Sequence, residues 1–163
     1  MAFMQDYKNR SVSRGALVFL RVFIGAVFLQ QGMDKLALGN AGLGFDPALE
    51  NFLAVAVERG YPFYTPFLES VVVPNSPIFA LLITWAELFV GVSLLIGFLT
   101  RYGTFMAMFL ALNMALSQGM GLVSPTVEAM TVWVAFTLMI TSAGRSWGLD
   151  SALHNRWPRS ILW

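Results

Sequence analysis

The sequence predicts an all-α integral membrane protein, a four-helix bundle with a long, partly helical outer loop between spans one and two. Three observations predict it. Of the 163 residues, 57% are hydrophobic and only 12% are charged, whereas a soluble domain carries about a quarter charged residues to cover its wet surface. Four segments approach the roughly 20 mostly apolar residues that a membrane-crossing helix needs. The basic residues between them are segregated by side. Length points to a single domain over 1–163, and no internal repeat is visible.

The spans are 16–36, 78–99, 102–120 and 126–143. The first follows Lys8, Arg10 and Arg14 as a signal peptide would. However, Arg21 interrupts its apolar run and Gln30-Gln31-Gly32 does not form a small-residue cleavage site, so it reads as a retained span. Ser117, Gln118 and Gly119 thin out the end of the third. Between spans one and two lies a loop over 39–76, long enough to carry structure of its own. Asp46-Pro47 reads as a helix N-cap followed by proline at the first helical position. Leu49, Phe52, Leu53, Ala56 and Val57 then mark one apolar face, and Gly60 with Pro62 ends the helix. Thr65-Pro66 starts a second short helix, which Pro74 is expected to stop. Such an amphipathic helix lies at the outer interface or caps the bundle mouth. A tail over 144–163 completes the chain.

Short-loop basic residues set orientation. Lys8, Arg10, Arg14, Arg101, Arg145, Arg156 and Arg159 fall on one side, and Lys35 and Arg59 on the other, with Asp34, Asp46, Glu50, Glu58, Glu69 and Glu128. Seven against two places both termini in the cytoplasm. Trp147, Trp157 and Trp163 in the tail suit the membrane–water interface.

A charge near the bilayer centre costs about 2.5–3.5 kcal/mol on insertion scales. Arg21 in span one and Glu87 in span two therefore stand out. At about 100° per residue, Arg14, Arg21, Gly25, Gly32 and Lys35 fall on one stripe. Ala80, Glu87, Gly91, Leu94, Phe98 and Arg101 fall on another. Gly25, Gly32 and Gly91 allow close helix packing, and the economical arrangement sets the stripes face to face with Arg21 paired to Glu87. Asn113 joins this buried polar network from span three. Gln31, Lys35, Gln118 and Glu128 are expected to gather at the outer mouth. The competing reading is that Arg21, Glu87 and Asn113 only hold the helices together.

Absences narrow the chemistry. With no cysteine, disulfides, thiolate metal sites and iron–sulfur clusters are excluded. The single histidine, His154, lies in the tail, so no haem is held by histidine pairs within the membrane, and no structural metal is expected. A net charge of +1 gives no field for nucleic acid.

These motifs together resemble the DoxX/DoxD family of small four-helix membrane proteins, over about 14–153. The matching pieces are Leu20-Arg21-x-x-x-Gly25 and Gly32-x-x-Lys35 in span one, then Glu87-x-x-x-Gly91 and Gly97-x-x-Thr100-Arg101 in span two. Asn113 follows in span three, and Gly144-Arg145-x-x-x-Leu149-Asp150 closes the pattern. The resemblance implies a prokaryotic inner-membrane protein linked to quinones and sulfur redox. DoxD-type proteins are a subunit of thiosulfate:quinone oxidoreductase. The expected function is thus a membrane subunit of a quinone-linked redox system, not active alone, with quinone as cofactor and the lipid bilayer and other membrane subunits as partners. Glu87 is the expected proton-exchanging residue, in a lipid-accessible site between spans one and two, with Arg21 holding it ionised or binding an anionic intermediate. The alternative is a non-catalytic accessory or scaffold subunit of a larger respiratory or photosynthetic complex. A transporter is disfavoured by the lack of paired repeats and broken helices.

Overall fold

A computed structural model describes residues 14–37, 47–141 and 148–156. Among these the chain is helical and contains no strand. The long helices are α1 (Arg14–Ala37), α4 (Ser76–Ile96), α5 (Thr100–Ser117) and α6 (Val127–Ile140). Shorter ones are α2 (Pro47–Arg59), α3 (Thr65–Phe67) and α7 (Leu149–Arg156). α1 packs along α4, α4 on α5, α5 along α6, and α6 touches α1. The expected cap Asp46, the basic residues Lys8, Arg10, Arg145 and Arg159, and the tail tryptophans lie outside the described residues.

The distribution of side chains is that of a membrane protein. Ile78, Leu82, Trp85, Phe89, Val92 and Ile96 recur at helical spacing along α4 and are all exposed. Tyr102, Phe105 and Phe109 do the same on α5, as do Phe19 and Phe23 on α1 and Met130 and Trp133 on α6. The inward faces hold small and polar residues instead, among them Thr84, Gly91, Ser93, Thr104, Ala107, Ala111 and Ala135. Water penalises such an outer surface and hydrocarbon does not. Two continuous helical runs, Gly15–Ala37 and Thr65–Ile96, are long and apolar enough to cross a bilayer. α5 has 18 residues but is diluted by Arg101, Asn113 and its threonines, and α6 is an apolar helix of 14 residues.

The second run corrects one expectation. Pro74 does not stop the helix that begins at Thr65. The chain passes through it by changing pitch, widening to a π turn over Leu68–Val72 and tightening to a 3₁₀ turn over Val73–Asn75 before α4. Proline lacks the N–H that would bond four residues back and crowds that carbonyl, so the local hydrogen-bond pattern must shift. The Asn75 side-chain amide donates to the Val71 carbonyl at 2.8 Å within this stretch. A straight helix from Tyr64 to Glu87 would be about 35 Å long, yet both residues line one cleft. The distorted stretch therefore bends the chain back toward α5.

α2 forms where its apolar pattern places it. Leu53 and Ala56 are buried against Leu68 and Val72, with Leu49, Phe52, Val57, Tyr64 and Phe79 around them. Its C-terminal end rests on the end of α5. The Tyr61 amide donates to the Leu116 carbonyl at 3.2 Å, and Gly119, at φ +65, lets the Arg59 carbonyl approach where a Cβ would stand 2.3 Å away.

α1 and α4 pack backbone to backbone. A Cβ on Gly91 would lie 2.6 Å from the Leu29 backbone, and one on Gly25 would meet the Leu95 amide at 3.0 Å. We predict that Gly91→Leu destabilises the detergent-solubilised protein by about 1–3 kcal/mol or more, the usual cost of overpacking. Gly121→Ala, whose Cβ would meet nothing nearer than 3.7 Å, should leave the unfolding midpoint unchanged. Equal midpoints for the two variants would show that the α1–α4 contact is looser than described.

Candidate functional site

The glycine contacts fix the register of α1 against α4. Gly25 lies beside Leu94, Leu29 beside Gly91, and Gly32 beside Leu88. Running antiparallel, this series brings Lys35 to the level of Glu87. The Lys35 ammonium donates to Glu87 Oε1 at 2.6 Å. Glu87 is buried and Lys35 half-buried, so the pair stands in a setting of lowered dielectric where each charge depends on the other.

This corrects the expected partnership of Arg21 with Glu87. The same register carries Arg21 to the opposite end of α4, where its guanidinium lies against Gly97. Gly97 and Glu87 are ten residues apart on one helix, roughly 15 Å along its axis. Arg21 is only 1% exposed, and the charge that attracts it is Asp150. Asp150, also buried, accepts from the Leu99 and Thr100 amides at 2.8 and 2.9 Å, and its own amide donates to the Gly97 carbonyl at 2.8 Å. Its carboxylate thus caps the N-terminus of α5, where free N–H groups and the helix dipole favour negative charge. Between the two charged groups lies an apolar layer of Ile24, Phe28, Val90, Leu94, Ala107 and Ala135.

The site expected between spans one and two falls where glycine packing brings α1 and α4 together. Among the described residues, a cleft opens on another side of α4, bounded by α2, the Tyr64–Val72 stretch, α4 and α5. Its walls are largely apolar and include Phe52, Leu53, Leu68, Ile83 and Leu110. The polar groups are Glu87, Asn113, Ser117 and Tyr64. Tyr64 donates its phenol to Asn113 Oδ1, and Asn113 Nδ2 donates to the Phe109 carbonyl at 2.7 Å. Burial pushes the Tyr64 phenol above its ordinary range, so it remains a neutral hydrogen-bond donor. Glu87 faces both ways, toward Lys35 of α1 and toward the cleft.

The outer-mouth cluster forms in part. Gln118 Nε2 donates to Glu128 Oε1 at 3.3 Å. Gln31 is exposed, and Lys35 is drawn inward to Glu87 rather than joining them.

Residues 16–161 match the family model described as TQO small subunit DoxD. The chain belongs to the DoxD family. No solved structure matches it. Mapped onto the fold, the DoxD motif pieces divide into two groups. Gly32-x-x-Lys35 and Glu87-x-x-x-Gly91 meet beside the cleft. Leu20-Arg21, Gly97-x-x-Thr100 and Leu149-Asp150 meet at the far end, while Gly144 and Arg145 lie outside the described residues. The sequence of this DoxD chain carries Asp150 in its closing motif without a sign of its role, and nothing in it marks Tyr64. A carboxylate with a partner about fifty residues away carries no periodic signal, and a tyrosine among the loop's other aromatics looks like interface.

We predict that Lys35→Met combined with Glu87→Gln costs less than the sum of the single changes, with a coupling of roughly 0.5 kcal/mol or more. The value falls at the low end because Lys35 is partly exposed. Arg21→Met with Glu87→Gln should be additive within about 0.5 kcal/mol, as for separated sites. Unfolding in mixed micelles measures both cycles, and a reversed pattern would restore the Arg21–Glu87 pairing.

Proposed function

We propose that this chain is the membrane subunit of a quinone-linked redox system of the thiosulfate:quinone oxidoreductase type, with the quinone ring in the cleft beside Glu87. The observation that carries this reading is a cleft with apolar walls into which a buried, lysine-held carboxylate opens. Lipophilic ring sites have this composition, mostly hydrocarbon with a few oriented polar groups. Glu87, Tyr64 and Asn113 would hold the polar edge of the ring, and Phe52, Leu68 and Ile83 its apolar body. When bound, a quinone supplies a two-electron acceptor that takes up two protons on reduction.

The chain's own residues orient, exclude water and hold a proton. Lys35 fixes the position of the Glu87 carboxylate and balances its charge. The Asn113–Tyr64 pair presents a rigid polar edge, because Asn113 is tied to its own helix through the Phe109 carbonyl. The apolar layer beneath Glu87 keeps water from the opposite end. With no cysteine and one histidine, the chain offers no thiolate for a sulfur adduct and no histidine pair for haem, so in this reading a partner subunit carries any further redox cofactor. In this reading α1, the Thr65–Ile96 run, α5 and α6 form a four-span bundle in a prokaryotic inner membrane with both termini cytoplasmic.

Two measurements test this. A reporter fused after Trp163 should be active only in the cytoplasm and one inserted near Gly44 only outside; the reverse would reject the orientation. Glu87→Gln keeps the shape and an acceptor oxygen but cannot carry a proton. Purified with its native partners, this variant should assemble normally and reduce a soluble quinone roughly 10²-fold more slowly, the usual range for a lost general acid–base group. Normal turnover in a normally assembled complex would leave the chain as a scaffold.

A further inference from the structure

The cleft has one side that the function above does not use. Three of its lining residues are exposed: Phe67 at 39%, Phe109 at 50% and Met114 at 39%. The remainder are buried or half-buried. The opening therefore lies between the Tyr64–Phe67 segment and α5. Phe109 belongs both to the cleft and to the exposed stripe of Tyr102 and Phe105 on α5, and that stripe is the part of the helix turned to hydrocarbon. On the other rim, Phe67 lies tilted against Tyr64 with ring centres 5.4 Å apart and continues an exposed apolar series with Phe63 and Val71. The mouth is thus framed by apolar side chains on a lipid-facing wall, while the polar groups lie inside.

We infer that the ligand of this cleft is a membrane-dissolved molecule with a polar ring and a hydrocarbon tail. It enters sideways from the bilayer between Phe67 and Phe109, and its tail remains in that gap with its end in lipid. This rests on the reading of the cleft as a ring site and adds its route and the residues that select for a tail. A water-borne ring would have to cross the Phe109 wall with its polar edge unsolvated, which is costly. A tailed one is already dissolved in the phase onto which the mouth opens. Phe67, Phe109 and Met114 are specificity residues here, since they touch the tail and none touches the Lys35–Glu87 pair.

The test uses the full chain in lipid nanodiscs and two quinones, one tailless and one bearing a ten-carbon chain with a photoreactive diazirine on the methylenes next to the ring. Illumination should place adducts on Phe67, Phe109 or Met114, and excess tailless quinone should suppress them by displacing the ring. Phe109→Trp, which narrows the mouth, should weaken the tailed quinone by about tenfold and leave the tailless one unchanged. Adducts at the rim that tailless quinone does not suppress would overturn the inference, as simple lipid contact. Suppressible adducts on Leu49 or Phe52 would also overturn it by sending the tail toward α2. Equal weakening of both quinones by Phe109→Trp would do the same. Failure of the underlying ring site looks different: the unmodified chain would show no saturable binding of the tailless quinone at all.

Discussion

The approach of α1 to α4 at Gly91 governs the rest of the structure. With a Cβ excluded at 2.6 Å from Leu29, the two helices interlock with Leu29 seated on Gly91. That register decides which charge meets which. Shifted by one turn, Lys35 would miss Glu87 and Arg21 would move away from Gly97, breaking an ion pair where dielectric screening is weak. Backbone proximity thus sets the electrostatics. The same seam is tight on the α1 side of α4, and the cleft beside Glu87 opens on the side facing α5 and α2.

Much of this fold is legible in the sequence because its signals are local. Apolar runs set the helices to within a few residues, with 16–36 becoming Arg14–Ala37 and 126–143 becoming Val127–Ile140. The face of α2 follows from Leu49, Phe52, Leu53 and Ala56. The glycine and charge stripes on α1 and α4 are also correctly paired as facing surfaces. Their offset is not legible: periodicity gives the angle of a residue about its helix but not its height against a neighbour. That missing coordinate is why Arg21 seemed the natural partner of Glu87 when Lys35, fourteen residues further on, meets it.

The cleft was hidden for a related reason. Its walls come from four stretches separated in sequence, and they converge only because the chain bends at the π and 3₁₀ turns before α4. Pro66, Pro74 and Pro77 are plain in the sequence, but proline reads equally as a terminator or as a bend that keeps the helix going. Here neighbouring helical turns continue through Pro74, and the outer segment folds against α5 instead of projecting away. Tyr64 reaches Asn113 as a result.

Asp150 has a consequence for how the protein is made. The amides it fastens belong to Leu99 and Thr100, about fifty residues earlier, and Leu99 sits at φ 53, a backbone state that a branched side chain rarely adopts unaided. During synthesis, α4 and α5 emerge before their clasp exists. α6 must follow before α7 can emerge and supply the carboxylate. Until then the Leu99 and Thr100 amides lack the carboxylate that receives them. The turn between α4 and α5 is therefore fastened by a residue translated about fifty positions later, and a chain cut short of Asp150 lacks the carboxylate that its amides meet.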